Sequence, residues 1–165
     1  MNKLEKIYLL TGSNIGDREQ QLMKVAQLLN ENTGEVTAQS SIYETEAWGL
    51  TDQPDFLNQA LELITPLSPQ QLIESILNIE RKMGRVRSEK WTARLIDIDV
   101  IFYGSQIIKT ETLTIPHPFM HERNFVLVPL MEIAADFIHP VFKLSVKELY
   151  ERSEDKLEVK TFHAL

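Results

Sequence analysis

Apolar residues recur along this chain with two different periods. Lys6 to Thr11 holds the unbroken run Ile7-Tyr8-Leu9-Leu10 and reads as a first strand, closed by a turn over Gly12 to Asp17. Leu22, Val25, Leu28 and Leu29 then fall at helical spacing, and Gly34 follows the end of the helix they predict. Val36 to Tyr43 reads as a second strand, Glu44 to Pro54 as a loop, and Phe56 to Ile64 as a third strand. Ser68-Pro69-Gln70-Gln71 predicts a helix start, because the serine can cap, proline suits the first turn, and Gln71 can reach back to close a capping box. Gly84 ends that helix, and the alternation in Leu95 to Tyr103 predicts a half-buried strand.

The order strand, helix, strand, strand, helix, strand predicts an α+β sandwich of the ferredoxin-like, split βαβ kind, with helices on one face of an antiparallel sheet. Beyond Gly104, Ile107-Ile108, the bracketed Pro116-His117-Pro118, and short helices at Val128 to Ala135 and Ser145 to Glu151 are additions outside that plan.

A chain of 165 residues with 43% hydrophobic content can bury one core, so residues 1–165 are expected to form a single domain. The net charge of −7 argues against general nucleic-acid binding, which needs a broad positive surface, so any polyanion must be met locally. Without cysteine there is no disulfide framework or thiolate metal site. The apolar run at Ile7 to Leu10 is too short for a signal core or a membrane span, and a cytoplasmic protein without a membrane partner is expected.

The chemistry concentrates in one stretch. Asp97 and Asp99 sit two residues apart on a strand, which turns both carboxylates the same way at about 6.5 Å. Aspartate is disfavoured in strands, and two like charges so placed call for a hard divalent cation. Just upstream, Arg85, Arg87, Lys90 and Arg94 are opposed only by Glu89. A metal-binding pair beside a basic loop suits a magnesium polyphosphate; a solvated charge run is the plainer alternative for the loop.

No glycine-lysine-serine phosphate loop is present, and Gly12-Ser13-Asn14-Ile15-Gly16 could offer amides to an anion or simply turn the chain. Glu80 shares a helix face with Ile73, Ile76 and Leu77, so its carboxylate is aimed toward the apolar side, to pair with an arginine or reach water. His117 and His121 have the spacing of a helical metal pair, but prolines on both sides of His117 oppose a helix and hence zinc. A histidine so held is better suited to donate to a phosphate or sugar oxygen. Phe56 with Asn58, and Arg123 with Phe125, set aromatic faces beside polar groups, as core residues or as a slot for a flat heterocycle.

In order along the chain stand Gly12-Ser13-Asn14, Tyr43-Glu44-Thr45, Trp48-Gly49, Asp52 to Asn58, Glu80 to Arg87, Lys90-Trp91, Arg94 to Asp99, and Pro116-His117 to Phe125. This series resembles the 6-hydroxymethyl-7,8-dihydropterin pyrophosphokinase family over nearly the whole chain. The resemblance implies a monomer that transfers pyrophosphate from ATP to the pterin hydroxymethyl group in folate biosynthesis and releases AMP. By the same carry-over, Asp97 and Asp99 would hold two Mg²⁺ ions bridging the triphosphate. Phe56 and Phe125 would sandwich the pterin, and Asn58 with the backbone around Thr45, Glu46 and Trp48 would bond its edge. Glu80, Arg85, Arg87, Trp91, Arg94, His117 and Arg123 would line the nucleotide side, with backbone near Val100 and Thr114 meeting adenine.

Attack on a β-phosphorus needs alignment and charge neutralisation more than covalent help, so Arg85 and Arg94 are expected to act in the transition state. The chain departs from family habit at Ala47, at Thr92-Ala93 and at Phe119, none of which is a metal-binding group. Two other readings compete: a non-catalytic ferredoxin-like binding module, and a metal-dependent phosphohydrolase using the same aspartates.

Overall fold

The computed structural model describes residues 3–46, 55–84 and 96–163. In chain order the first half holds β1 (Glu5–Ser13), α1 (Arg18–Asn32), β2 (Glu35–Gln39), β3 (Tyr43–Thr45), β4 (Phe56–Thr65) and α2 (Pro69–Lys82). The second half holds β5 (Asp97–Tyr103), β6 (Ile108–Lys109), β7 (Thr114–Ile115), α3 (Asn124–Ala134), α4 (Val146–Arg152) and β8 (Lys160–Thr161). The main sheet runs β5-β1-β4, and both β2 and β3 pair antiparallel with the far side of β4. β1 and β2 are therefore parallel with β4 between them, which is the split βαβ arrangement.

Local chemistry explains several boundaries. Asp17 caps α1 by accepting from the Gln20 amide at 3.1 Å. The box at Ser68 and Gln71 forms as the sequence predicts, with both reciprocal bonds made, and α2 ends just before Gly84 at φ 85°.

The sheet is covered on both faces. Ile7, Leu9, Leu61 and Leu63 pack against Leu22, Val25 and Leu29 of α1 and Leu72, Ile76 and Ile79 of α2. Tyr8, Leu10, Ala60 and Phe102 pack against Val126, Leu127 and Leu130 of α3 and Val146 and Leu149 of α4. The helices after Gly104 thus supply a second core layer, and the expectation of helices on one face covers only α1 and α2. An unbroken apolar run such as Ile7 to Leu10 is what a strand buried on both faces requires.

Three boundaries differ from the sequence reading. The predicted strand Val36 to Tyr43 divides at Ser40: Gln39 pairs with Leu61 and Tyr43 with Asn58, so the edge chain uses one residue more than β4 over this interval. Ser40 fills the break, its amide donating to the Ala60 carbonyl and its Oγ accepting from the Ala60 amide, each at 2.9 Å. Beyond it β3 continues through Thr45, where a loop was expected. Finally, α3 begins at Asn124 and not at Val128, because the Asn124 amide donates to Asp155 Oδ2 at 2.8 Å, a cap supplied from far along the chain.

Candidate active site

The register of three adjacent strands assembles the site. Gly12 of β1 is paired with Asn58 of β4 on one side and Asp97 of β5 on the other, and Leu10 is paired with Asp99. Ile96, Ile98 and Val100 are buried in the layer toward α1 and α2, so the alternating Asp97 and Asp99 side chains face the α3 side of the sheet, half-buried. Phe56, Asn58 and Ala60 share that face, and Phe125 of α3 packs on the same core layer. Asn58 is buried, and its Nδ2 donates to the Thr11 carbonyl at 3.2 Å, which fixes the orientation of the amide.

Gly12 is required at this crossing. A Cβ on it would stand 2.5 Å from Asn58 Nδ2, far inside contact distance. The sequence reading placed Gly12 in a turn; the structure places it within β1, and only the pairing of β1 with β4 reveals why a side chain is excluded.

Glu80 reaches the site from behind. It is 2% exposed, and its Oε2 accepts from the Ile98 amide at 3.2 Å, the residue between the two aspartates. The Glu80 carboxylate lies on the apolar side that helical spacing predicts, and it does not reach past the apolar edge to water. β5 is the sheet edge among the described residues, so its outward amides need such a partner.

His117, Arg123 and Asp97 lie within electrostatic reach of one another. Burial and the Arg123 charge push the His117 pKa down from its ordinary 6.5 to about 4, against an opposing pull from Asp97. Its Nδ1 accepts from the Phe119 amide at 3.2 Å, so the neutral ring carries its proton on Nε2 and can donate there. The Arg123 guanidinium lies 5.2 Å from the Phe119 ring centre and 5.9 Å from that of Phe125. Phe119 thus gives a flat apolar partner to the Arg123 cation. His121 packs edge-on against the Phe142 ring, with centroids 4.6 Å apart.

Thr45 is buried and paired with Phe56 across β3 and β4, whereas Glu46 is exposed. Val100 is buried in β5; Thr114 is exposed in β7, which packs against β5. Trp48, Arg85, Arg87, Trp91 and Arg94 lie outside the described residues, as do Ala47 and Thr92-Ala93. Among the described residues no three His, Asp or Glu side chains form a metal-binding group. Two carboxylates on one face still fit Mg²⁺, which takes one or two carboxylates and completes its shell with water and phosphate oxygens.

A family model described as 7,8-dihydro-6-hydroxymethylpterin-pyrophosphokinase (HPPK) matches residues 8–135. The chain belongs to that family. Among the family's named proteins, the chain is 41% identical over 142 residues to the 2-amino-4-hydroxy-6-hydroxymethyldihydropteridine pyrophosphokinase of Aquifex aeolicus, spanning 86% of this chain and 88% of that one. It is 46% identical over 127 residues to the protein of the same name from Bacillus subtilis, spanning 76% of each. The crystal structure of Plasmodium falciparum HPPK-DHPS wild type with pterin and p-hydroxybenzoate has the same fold, with a TM-score of 0.73 at 17% identity. That match covers 92% of this chain and 43% of the other. The pyrophosphokinase match runs from β1 to the end of α3, and so includes every described residue discussed for the site.

The histidines predict an acid limit. His139 is also held down to about 4, by burial and the nearby His121, and its Nδ1 accepts from the Val141 and Phe142 amides, each at 3.1 Å. Both rings are neutral in the fold, whereas in the unfolded chain they take up a proton near pH 6.5. The unfolded state therefore gains protons first, and stability, complete above pH 6.5, is lost as pH falls towards 4. Urea midpoints should fall across that window, and His139→Gln should flatten the fall; equal midpoints at pH 7 and pH 4 would contradict this account.

Proposed function

We propose that this chain transfers the pyrophosphoryl group of ATP to 6-hydroxymethyl-7,8-dihydropterin, giving AMP and the pterin diphosphate, as a step of folate synthesis. The observation that carries the reading is the row Asn58, Gly12, Asp97. Two strand spacings, about 10 Å, separate a buried amide from a carboxylate pair, and the residue between them has no side chain. A bicyclic heterocycle laid across Gly12 would meet Asn58 at one end and bring its hydroxymethyl group toward Asp97 at the other. Phe56 and Phe125 supply flat apolar surface on the same side of the sheet.

Two Mg²⁺ ions, held by Asp97 and Asp99 together with the triphosphate, would neutralise charge on the β- and γ-phosphate oxygens. In the transfer the hydroxymethyl oxygen bonds to the β-phosphorus and the bond from that phosphorus to the α-bridging oxygen breaks. AMP leaves, and the hydroxyl proton passes to an Asp97 oxygen. His117 donates from Nε2 and Arg123 from its guanidinium to the nucleotide. Arg85 and Arg94 are assigned the charge that develops in the transition state, with Glu80, Arg87 and Trp91 on the nucleotide side and the backbone near Val100 and Thr114 at adenine. Thr45, Glu46 and Trp48 are assigned to the pterin edge. We place the reaction in a single cytoplasmic domain, 1–165, acting as a monomer; the packing of α4 on α3 and the pairing of β8 with β3 support one folding unit.

The test is to incubate the protein with ATP, Mg²⁺ and the dihydropterin and to separate the nucleotides by chromatography. AMP that appears only with the pterin is the expected result. ADP and phosphate released without it would replace this reading with phosphohydrolysis.

A further inference from the structure

β3 carries part of the pterin side and is too short to hold itself. It has three residues, and Thr45, its last, pairs with Phe56, the first residue of β4. Strands this short gain little from their own ladder, so their position depends on what grips them. At its start β3 is gripped from α3: Glu132 accepts from the Ser41 amide at 2.8 Å and from the Tyr43 hydroxyl at 2.7 Å. At its other end the grip comes from α1. Arg18, the first residue of that helix, donates from Nη1 to Glu44 Oε2 and to the Asp55 carbonyl, each at 2.8 Å.

Glu44 immediately precedes Thr45, and Asp55 immediately precedes Phe56. One guanidinium nitrogen therefore joins the chain entering residues 47–54 to the chain leaving them, at the Thr45 and Phe56 pair. Its base is firm, because α1 is anchored in the core through Leu22, Val25 and Leu29. The Phe162 ring, 5.8 Å from the guanidinium carbon, shelters it on another side, and β8 brings that ring in by pairing with β3. Arg18 belongs to neither the aspartate pair nor the nucleotide side.

We infer that Arg18 is a positioning residue for pterin recognition, acting by locking Thr45 and Phe56 in register. This rests on the function proposed above. A part-buried, charge-assisted bond to a carboxylate and a second, exposed bond to a carbonyl support an effect of about tenfold on pterin affinity. The effect should be confined to that substrate, since both Arg18 bonds go to the chain at Glu44 and Asp55 and neither to the aspartate strand.

Steady-state kinetics on the full chain decide it. Arg18→Ala should raise the KM for the pterin about tenfold and leave kcat and the KM for ATP within about twofold. Arg18→Lys should recover much of the loss, because both contacts come from a single nitrogen that an ammonium can replace. An unchanged pterin KM, or equal rises in both KM values, overturns the inference. If Arg18→Ala loses its far-UV circular dichroism, Glu44→Ala decides, since it leaves Arg18 the Asp55 carbonyl. A rise of about threefold in pterin KM alone supports the lock, and no change overturns it. Wild-type protein that makes no pterin-dependent AMP would instead remove the proposed function, which separates the two failures.

Discussion

Asp97→Asn is expected to reduce pterin-dependent AMP formation by about 10³-fold or more while leaving the fold intact. Mg²⁺ held at the proposed aspartate site would supply several kcal/mol of transition-state charge stabilisation, and each 1.4 kcal/mol is about a factor of ten. Asp97 stands at the crossing with Gly12, nearest the row that ends at Asn58, and it is one of the charges acting on His117. The amide keeps the shape and an acceptor oxygen but removes the charge that draws in the cation. It also removes one of two like charges on the same strand face, so thermal unfolding should stay close to that of the parent. AMP production and a melting curve, measured on the same preparation, separate loss of chemistry from loss of structure. Turnover within tenfold of the parent would take Asp97 out of the site.

Gly12→Ala is expected to damage both stability and pterin binding, for a steric reason. The added carbon would lie 2.5 Å from Asn58 Nδ2, and Asn58 cannot simply swing aside, because it is buried and bonded to the Thr11 carbonyl. Either the strands separate locally or the amide turns and leaves its acceptor. Overpacking of this kind costs about 1–3 kcal/mol, visible in the urea midpoint. Adding Asn58→Ala should relieve the clash and restore part of the stability, yet binding of the dihydropterin, measured by calorimetry, should stay weak because the amide proposed to read its edge is gone. A single Gly12→Ala variant as stable as the parent would show that the crossing is looser than its geometry states.

Both variants act on residues whose legibility in the sequence was unequal. Asp97 and Asp99 are legible because a strand repeats every two residues, so spacing alone turns both side chains one way. The direction of Glu80 follows equally from helical spacing, and the α2 start from a box closed within four residues at Ser68 and Gln71. Arg85, Arg87 and Arg94 were read as a basic loop and, with Trp91, through the family resemblance, and all four lie outside the described residues. Gly12 carried an ambiguous signal, because a glycine after an apolar run suits a turn as well as a strand crossing.

The sequence by itself determined the split βαβ plan as far as β5, apart from the break at Ser40, the paired carboxylates and, through an ordered series of motifs, the family. These depend on contacts between residues close in the chain, where periodicity and side-chain chemistry suffice. Tertiary structure alone decided the partners. Ile98 receives the Glu80 carboxylate, Asp155 moves the start of α3 to Asn124, and Ser40 breaks an apparently continuous strand opposite Ala60. It also set Gly12 between Asn58 and Asp97, and placed Arg18 across Glu44 and Asp55. Each joins residues far apart in sequence, and their meeting is fixed by strand register and by how two core layers close on one sheet, quantities that no local pattern encodes.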